Sequence, residues 1–183
     1  MIKVDLHNHS YYSDGVLSPA KVVDLAKEAG CDLFSLTDHD TTDGVAEAQI
    51  EADKLGVNLL TGVEISAFWR NMTIHVVGLG IDLNNDKLQE GLAHNQKLRK
   101  DRAEKIALGL WRSGIKDALE KTQSLSKTEM LTRTHFAQML IQEGYCKNMK
   151  SVFRRYLTGK KPGGVRVEWK NIDQVVAWIH AAG

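Results

Sequence analysis

The chain has 183 residues, is 43% hydrophobic and 26% charged, and carries a formal net charge of +1. That length supports a core of ordinary size, and the composition is that of a soluble globular protein. No apolar run reaches the ~20 residues that span a bilayer, the start Met-Ile-Lys-Val-Asp has no signal-peptide pattern, and Cys31 and Cys146 form neither a CxxC pair nor a staple framework, so a cytoplasmic location is expected.

Ile2–His7 reads as a buried strand. Side chains two apart in a strand share a face, so Val4 and Leu6 would point one way and His7 and His9 the other. Asp14 follows in a turn marked by Gly15. Ser18 with Pro19 opens a helix, as N-cap and first helical residue. Val22, Val23, Leu25 and Ala26 form its apolar stripe, and Gly30 ends it. Leu33–Thr37 reads as a second strand, and a helix from about Thr42 to Leu55 stops at Gly56. Val57–Ser66 and Met72–Ile81 read as third and fourth strands, linked by Ala67–Asn71. Strand-helix repetition implies a mainly parallel sheet or barrel.

From about Asp86 the pattern turns helical and charged. Helices are expected to about Gly114, over Ser126–Glu143 and over Met149–Leu157. Lys160–Gly164 is a loop and Val165–Trp169 a short extended piece. Asn171 caps a final helix bearing Ile172, Val175, Val176 and Ile179 on one face. The expected organisation is an α/β part over 1–85, a helical insert over 86–160, and a return to the α/β part over 161–183. Charge follows that division: residues 1–96 hold 6 Lys and Arg against 15 Asp and Glu, whereas residues 97–170 hold 18 against 7. The basic part is either a solvated helical face or a surface for phosphate-bearing substrates. A barrel usually needs ~200 residues or more, so the chain is expected to be a truncated form of a larger fold.

The chemistry concentrates in the acidic half. His7 and His9 leave the first strand together, Asp14 follows, His39 lies just past the second strand, Glu64 near the end of the third, and His75 in the fourth. Strand ends in parallel α/β folds converge on one rim, where active sites gather. Imidazoles beside carboxylates suit zinc, iron or manganese. A set this large holds two or three ions, with Glu64 the candidate bridge. Asp38 is a candidate for orienting a ligand from behind, and Asp40 for capping the next helix. No activated Ser or Cys is evident and no GxxxxGK[ST] loop occurs, so no catalytic group is expected beyond metal-bound water. In the basic part, Arg133 and His135 are candidate phosphate contacts; the alternatives are a surface salt bridge and a packed helix residue.

HNHSYYSDG, LTDHDT, GVEIS and the histidine of TIHVVGLGID together resemble the PHP (polymerase and histidinol phosphatase) phosphoesterase family. The segments LTRTHFAQMLIQEGY and VFRRYLTGKKPGGVRVEW extend the likeness to its stand-alone RNase AM/TrpH-like branch of 3′,5′-nucleoside bisphosphate phosphatases. The resemblance implies a distorted (β/α)7 barrel, incomplete here at its C-terminal side, with an inserted helical domain. It implies metal ligands His7, His9, Asp14, His39, Glu64 and His75, with three further ligands in motifs beyond Gly183. It also implies up to three divalent ions, usually manganese with zinc or iron as alternatives, and Arg133 and His135 in the substrate-phosphate segment. The implied activity is phosphate hydrolysis from small nucleotides, with 5′-end trimming of short RNA. Neither a membrane nor a protein partner is expected. The alternatives are an inactive truncated fragment, a histidinol-phosphate phosphatase, which the helical insert argues against, and an RNA-binding module built on the basic part.

Overall fold

The computed structural model describes residues 2–183, in two compact units. One comprises Met1–Gln96 with Trp169–Gly183 and the other Lys97–Glu168. The boundary falls inside a long helix, after Gln96.

In the first unit, β1 (Val4–Asn8), β2 (Leu33–Leu36) and β3 (Asn58–Leu59) form a parallel sheet in that order. Helices α1 (Pro19–Glu28) and α2 (Val45–Leu55) make the crossovers. Ser18 caps α1, its hydroxyl accepting from the Lys21 N–H at 3.1 Å, which satisfies a donor the helix leaves open. Val23, Phe34, Leu36, Ala48, Ala52 and Val57 pack between helices and sheet as one core. The expectation of a buried first strand is corrected. β1 is an end strand of the sheet, and Ile2 and Val4 are 75% and 49% exposed.

The expected single strand over 57–66 is two strands in different sheets. Leu60 N–H donates to Phe34 O, on the β2 side, but Gly80 N–H donates to Thr61 O and Thr61 Oγ1 to Ile81 O. The chain changes hydrogen-bond partner between Leu60 and Thr61, and the second sheet starts there. That sheet is β4 (Gly62–Trp69) paired antiparallel with β5 (Met72–Leu79), from Gly62↔Leu79 to Trp69↔Met72. The link between them is two residues, Arg70 and Asn71, both at positive φ, the conformation a tight hairpin requires. The antiparallel hairpin is the exception in the mainly parallel arrangement expected. The first turns of α3 (Asp86–Arg112) and α7 (Ile172–Ala182) pack on the hairpin through Leu88, Leu92 and Val175, against Val63, Ile65 and Ala67. Asn171 caps α7, its side chain accepting from Gln174 N–H at 2.9 Å.

The second unit is helical: the rest of α3, then α4 (Ala118–Leu125), α5 (Arg133–Gln142) and α6 (Met149–Val152), which continues as a π-helical turn over Phe153–Leu157. Its core joins Ile106, Leu110, Phe136, Met139, Leu140, Val152 and Leu157. The helix expected from Ser126 starts only at Arg133. Ser126 Oγ instead accepts from Thr128 N–H, and Thr132 and His135 form a capping box that sets the later start. No helix among the described residues is long and apolar enough to cross a membrane.

Candidate metal centre

The exit of β1, the turn after it, the segment after β2, and the β4–β5 hairpin bring six sequence-predicted residues together. Three overlapping groups form: His7, His9 and Glu64; His9, Asp14 and His39; and His39, Glu64 and His75. Within each group the candidate ligand atoms lie within 4.8 Å of one another. Glu64 is the hub. Its Oε2 is 3.2 Å from His7 Nε2, 3.1 Å from His9 Nε2 and 3.0 Å from His39 Nδ1. Its Oε1 is 3.5 Å from His75 Nδ1. Asp14 Oδ1 stands 3.6 Å from His9 Nδ1 and 3.9 Å from His39 Nε2.

Two expectations about position are corrected. Glu64 is the third residue of β4, not near a strand end, and His75 comes from the middle of an antiparallel strand, paired with Ser66. His7, His9 and His39 do leave the C-terminal ends of the parallel strands β1 and β2, but His75 reaches them from an antiparallel strand. The segment after β2 zips onto β4 through its backbone: Glu64 N–H donates to Asp38 O, and Asp40 N–H donates to Glu64 O. That pairing sets His39 directly beside Glu64.

Asp38 and Asp40 hold this frame from behind. Asp38 is 2% exposed and accepts from Ser10 N–H at 2.7 Å, Ser10 Oγ at 2.6 Å and Ser13 Oγ at 2.6 Å. Ser13 Oγ stands 3.2 Å from His9 Nδ1. Since Ser13 donates to Asp38, its oxygen accepts from the His9 Nδ1–H, which leaves Nε2 as the lone-pair nitrogen facing the centre. Gly15 lets the turn close: a Cβ there would sit 2.4 Å from His9 O. Asp40 does not cap α2. It is fully buried, at φ 53°, and accepts from Ser66 N–H, Ser66 Oγ and Asn95 Nδ2, each at 2.8 Å. Ser10, Ser13 and Asn95 were not identified from sequence. The two serines beside the HxH pair carried a signal, and Asn95, on a helix far along the chain, carried none.

The electrostatics fit a cation. Glu64 Oε2 is buried and meets no donor in hydrogen-bonding geometry, although three imidazole nitrogens surround it. Burial pushes the Glu64 carboxyl up, but His9, His39, His75 and His7 outweigh it and hold it lowered to about 2. Burial pushes His9 down, and the carboxylates of Glu64, Asp14 and Asp38 more than reverse this, so it stays above its usual range. Burial raises Asp38, and the Ser10 and Ser13 hydrogen bonds oppose it only in part. Lone pairs that face one another around a buried carboxylate are the donor set a divalent ion needs.

In the second unit, Arg133 is the first residue of α5, its guanidinium 6.0 Å from the Phe153 ring centroid. Burial, then the charge of Arg99, push its pKa down. His135 is 5% exposed, and its Nδ1 accepts from Thr132 N–H at 3.1 Å. Its ring thus helps cap α5.

An α/β frame that gathers four histidines and an aspartate around a buried glutamate defines a candidate divalent-metal centre. The chain belongs to the PHP domain family, whose profile matches residues 5–174. It is 42% identical over 184 residues to a 3′,5′-nucleoside bisphosphate phosphatase of Chromobacterium violaceum, covering 100% of this chain and 65% of that protein. It is 41% identical to the 5′-3′ exoribonuclease Rnm of Escherichia coli, covering 98% and 62%. A solved structure described as an amidohydrolase from Chromobacterium violaceum, with sulfate bound and no metal, superposes with a TM-score of 0.95 at 42% identity, covering 99% of this chain and 64% of that one. A Bifidobacterium adolescentis structure shares the fold at 23% identity and a TM-score of 0.92, covering 100% and 64%. The chain thus spans less than two thirds of the length of the curated relatives it matches.

Proposed function

We propose that this chain carries the metal-binding part of a phosphoesterase that hydrolyses phosphate from nucleotides, 3′,5′-nucleoside bisphosphates among them, and trims short RNA from its 5′ end. The observation that carries the reading is the meeting of His7, His9 and His39 at one buried, hydrogen-bond-deprived oxygen of Glu64. The named activities of the relatives at 41–42% identity support the substrate class.

His7, His9, Asp14, His39, Glu64 and His75 would hold the ions, Glu64 bridging two of them. Manganese is our expectation, with zinc or iron as the alternatives. Such an ion supplies Lewis-acid polarisation of water and of the phosphoryl group. The chain's own residues set the geometry. Asp38, through Ser13, keeps the His9 ring turned and its proton at Nδ1. Asp40 ties β4 to α3 through Ser66 and Asn95, so Glu64 is held on a rigid strand. In the second unit, burial and then the like charge of Arg99 depress the Arg133 pKa, a cost that an anion would relieve. We assign Arg133 to the substrate phosphate, with a bidentate fork for its oxygens. His135, whose Nδ1 accepts from Thr132 N–H, is assigned to the same group.

The test is release of inorganic phosphate from adenosine 3′,5′-bisphosphate in manganese, with and without EDTA. Metal-dependent release that His9→Ala abolishes supports the reading. Release unaffected by EDTA, or preference for histidinol phosphate, contradicts it. Metal binding without release of phosphate from any of these substrates identifies an inactive chain.

A further inference from the structure

We propose that the segment from Lys147 to Lys161 is a binding strip for the phosphate backbone of single-stranded RNA. The inference deepens the phosphoesterase reading, because it assigns a polymeric substrate its own surface. Between Glu143 and Glu168 the sequence has no acidic residue, yet it holds Lys147, Lys150, Arg154, Arg155, Lys160, Lys161 and Arg166.

The structure explains how these charges reach one surface. α6 and the π-helical turn bury Val152 and Leu157, with Met149, Phe153 and Tyr156 packed on the same core. With its apolar residues turned inward, the segment leaves Lys147, Lys150, Arg154 and Arg155 exposed. The chain then closes into a compact turn. Thr158 Oγ1 donates to Phe153 O at 2.8 Å, Lys161 N–H to Thr158 O at 3.2 Å, Gly163 N–H to Tyr156 O at 2.7 Å and Gly164 N–H to Lys161 O at 2.8 Å. Lys160 and Lys161 are exposed on that turn. The turn is also docked: a Cβ on Gly109 of α3 would fall 1.8 Å from Pro162 O, so helix and loop backbones are in direct contact.

Aromatic rings interleave with the charges. Tyr145 and Tyr156 meet edge-on with centroids 6.5 Å apart. The Arg155 guanidinium lies 5.3 Å from the Tyr156 ring centroid, and its Nη1 donates to Tyr145 O at 3.3 Å. This guanidinium is held in place before any ligand arrives. Cations along a surface whose aromatic rings keep only an edge in solvent are a pattern that tracks a single-stranded backbone without reading sequence. π-helical turns are rare and are frequent at functional sites.

The experiment is fluorescence anisotropy of a labelled oligouridylate of about 12 nucleotides, in EDTA so that turnover plays no part. Salt is varied from about 50 to 200 mM. The variant combines Lys150→Ala, Arg154→Ala, Lys160→Ala and Lys161→Ala. The expected result is about tenfold weaker binding and a salt slope shallower by roughly 2 to 3, at about 0.7 per lost contact. A charge-matched control combining Lys21→Ala, Lys27→Ala, Lys54→Ala and Lys87→Ala is expected to bind as the parent does. Should the first variant melt early, Lys160→Ala with Lys161→Ala alone is expected to weaken binding about threefold. Unchanged affinity in the strip variants, or equal weakening in the control, overturns the proposal. So does adsorption to phosphatidylglycerol vesicles that depends on the same four residues and displaces the RNA; that outcome would make the strip a membrane contact. Because binding is read without metal, failure of the phosphatase assay and failure of the strip are separate results.

Discussion

Glu64 Oε2 and His9 Nε2 lie 3.1 Å apart, and in the neutral ring with its proton at Nδ1 both atoms present lone pairs to each other. In the metal-free protein, protonation of His9 relieves that opposition. A divalent ion relieves it as well, and the two therefore compete for one place.

Added manganese is expected to stabilise the fold. At about 100 times its Kd a ligand adds about 2.7 kcal/mol, which for a chain of this size raises Tm by about 5–10 °C. Differential scanning fluorimetry with and without EDTA reads this. Glu64→Gln should lose most of the shift, and an equal shift in that variant would place the ion elsewhere.

Asp38→Asn tests the support behind His9. The amide keeps the shape but introduces a donor where Ser10 N–H, Ser10 Oγ and Ser13 Oγ all donate. Metal affinity by titration calorimetry is expected to fall about 10- to 100-fold, the usual consequence of losing a partner behind a ligand. An unchanged Kd would show that Ser13 and Asp38 do not orient the ring.

Asp40→Ala should act on stability. It removes three buried hydrogen bonds, from Ser66 N–H, Ser66 Oγ and Asn95 Nδ2, although Asn95 Nδ2 keeps its bond to Ser66 O. The expected loss is about 2–4 kcal/mol in urea unfolding. A loss under about 0.5 kcal/mol, the range of an ordinary surface change, would contradict the role assigned to it.

The metal-free protein should have a defined pH dependence. Glu64, lowered from 4.5 to about 2, contributes stability that is fully present above pH 4.5 and lost as pH falls through about 2. His9, raised from 6.5, contributes stability fully present below pH 6.5 and lost as pH rises through its folded value. Unfolding midpoints in EDTA should therefore decline on both sides of mildly acidic pH. His9→Ala should flatten the alkaline decline, and a parent profile that keeps rising above pH 7 would contradict the assignment.

Gly109→Ala gives a prediction of sign. In an ordinary helix interior the change stabilises by about 1 kcal/mol. Here the new Cβ would meet Pro162 O at 1.8 Å, so unfolding should come earlier and protease cleavage near Lys160 should speed up. A rise in Tm would mean that the turn is not packed on α3.

The chemistry of the centre was legible in the sequence because its residue types are scarce and clustered. HxH, SDG and TDHD place four of the six candidate ligands within short local motifs, and only Glu64 and His75 had to be joined over distance. Several elements were equally local: the Ser18 and Asn171 caps, the helix beginning at Asp86 and the stop at Gly56 follow from side chains next to them in sequence. Other features were set by partners far along the chain. The break after Leu60 exists because Phe34 O accepts the Leu60 N–H whereas Ile81 O accepts the Thr61 hydroxyl. The antiparallel sense of β5 depends on a two-residue turn that periodicity does not report.

Asp40 shows the same division at a single residue. Its place after His39 suggested a helix cap, since a nearby helix start is the partner visible in sequence. The tertiary structure instead gives it Ser66 and Asn95, 26 and 55 residues away. The sequence by itself determined which side chains carry the chemistry, because metal affinity belongs to the residue type. Only the tertiary structure decided how they meet, because a buried carboxylate takes whatever donors the packed fold brings to it, at any separation in the chain.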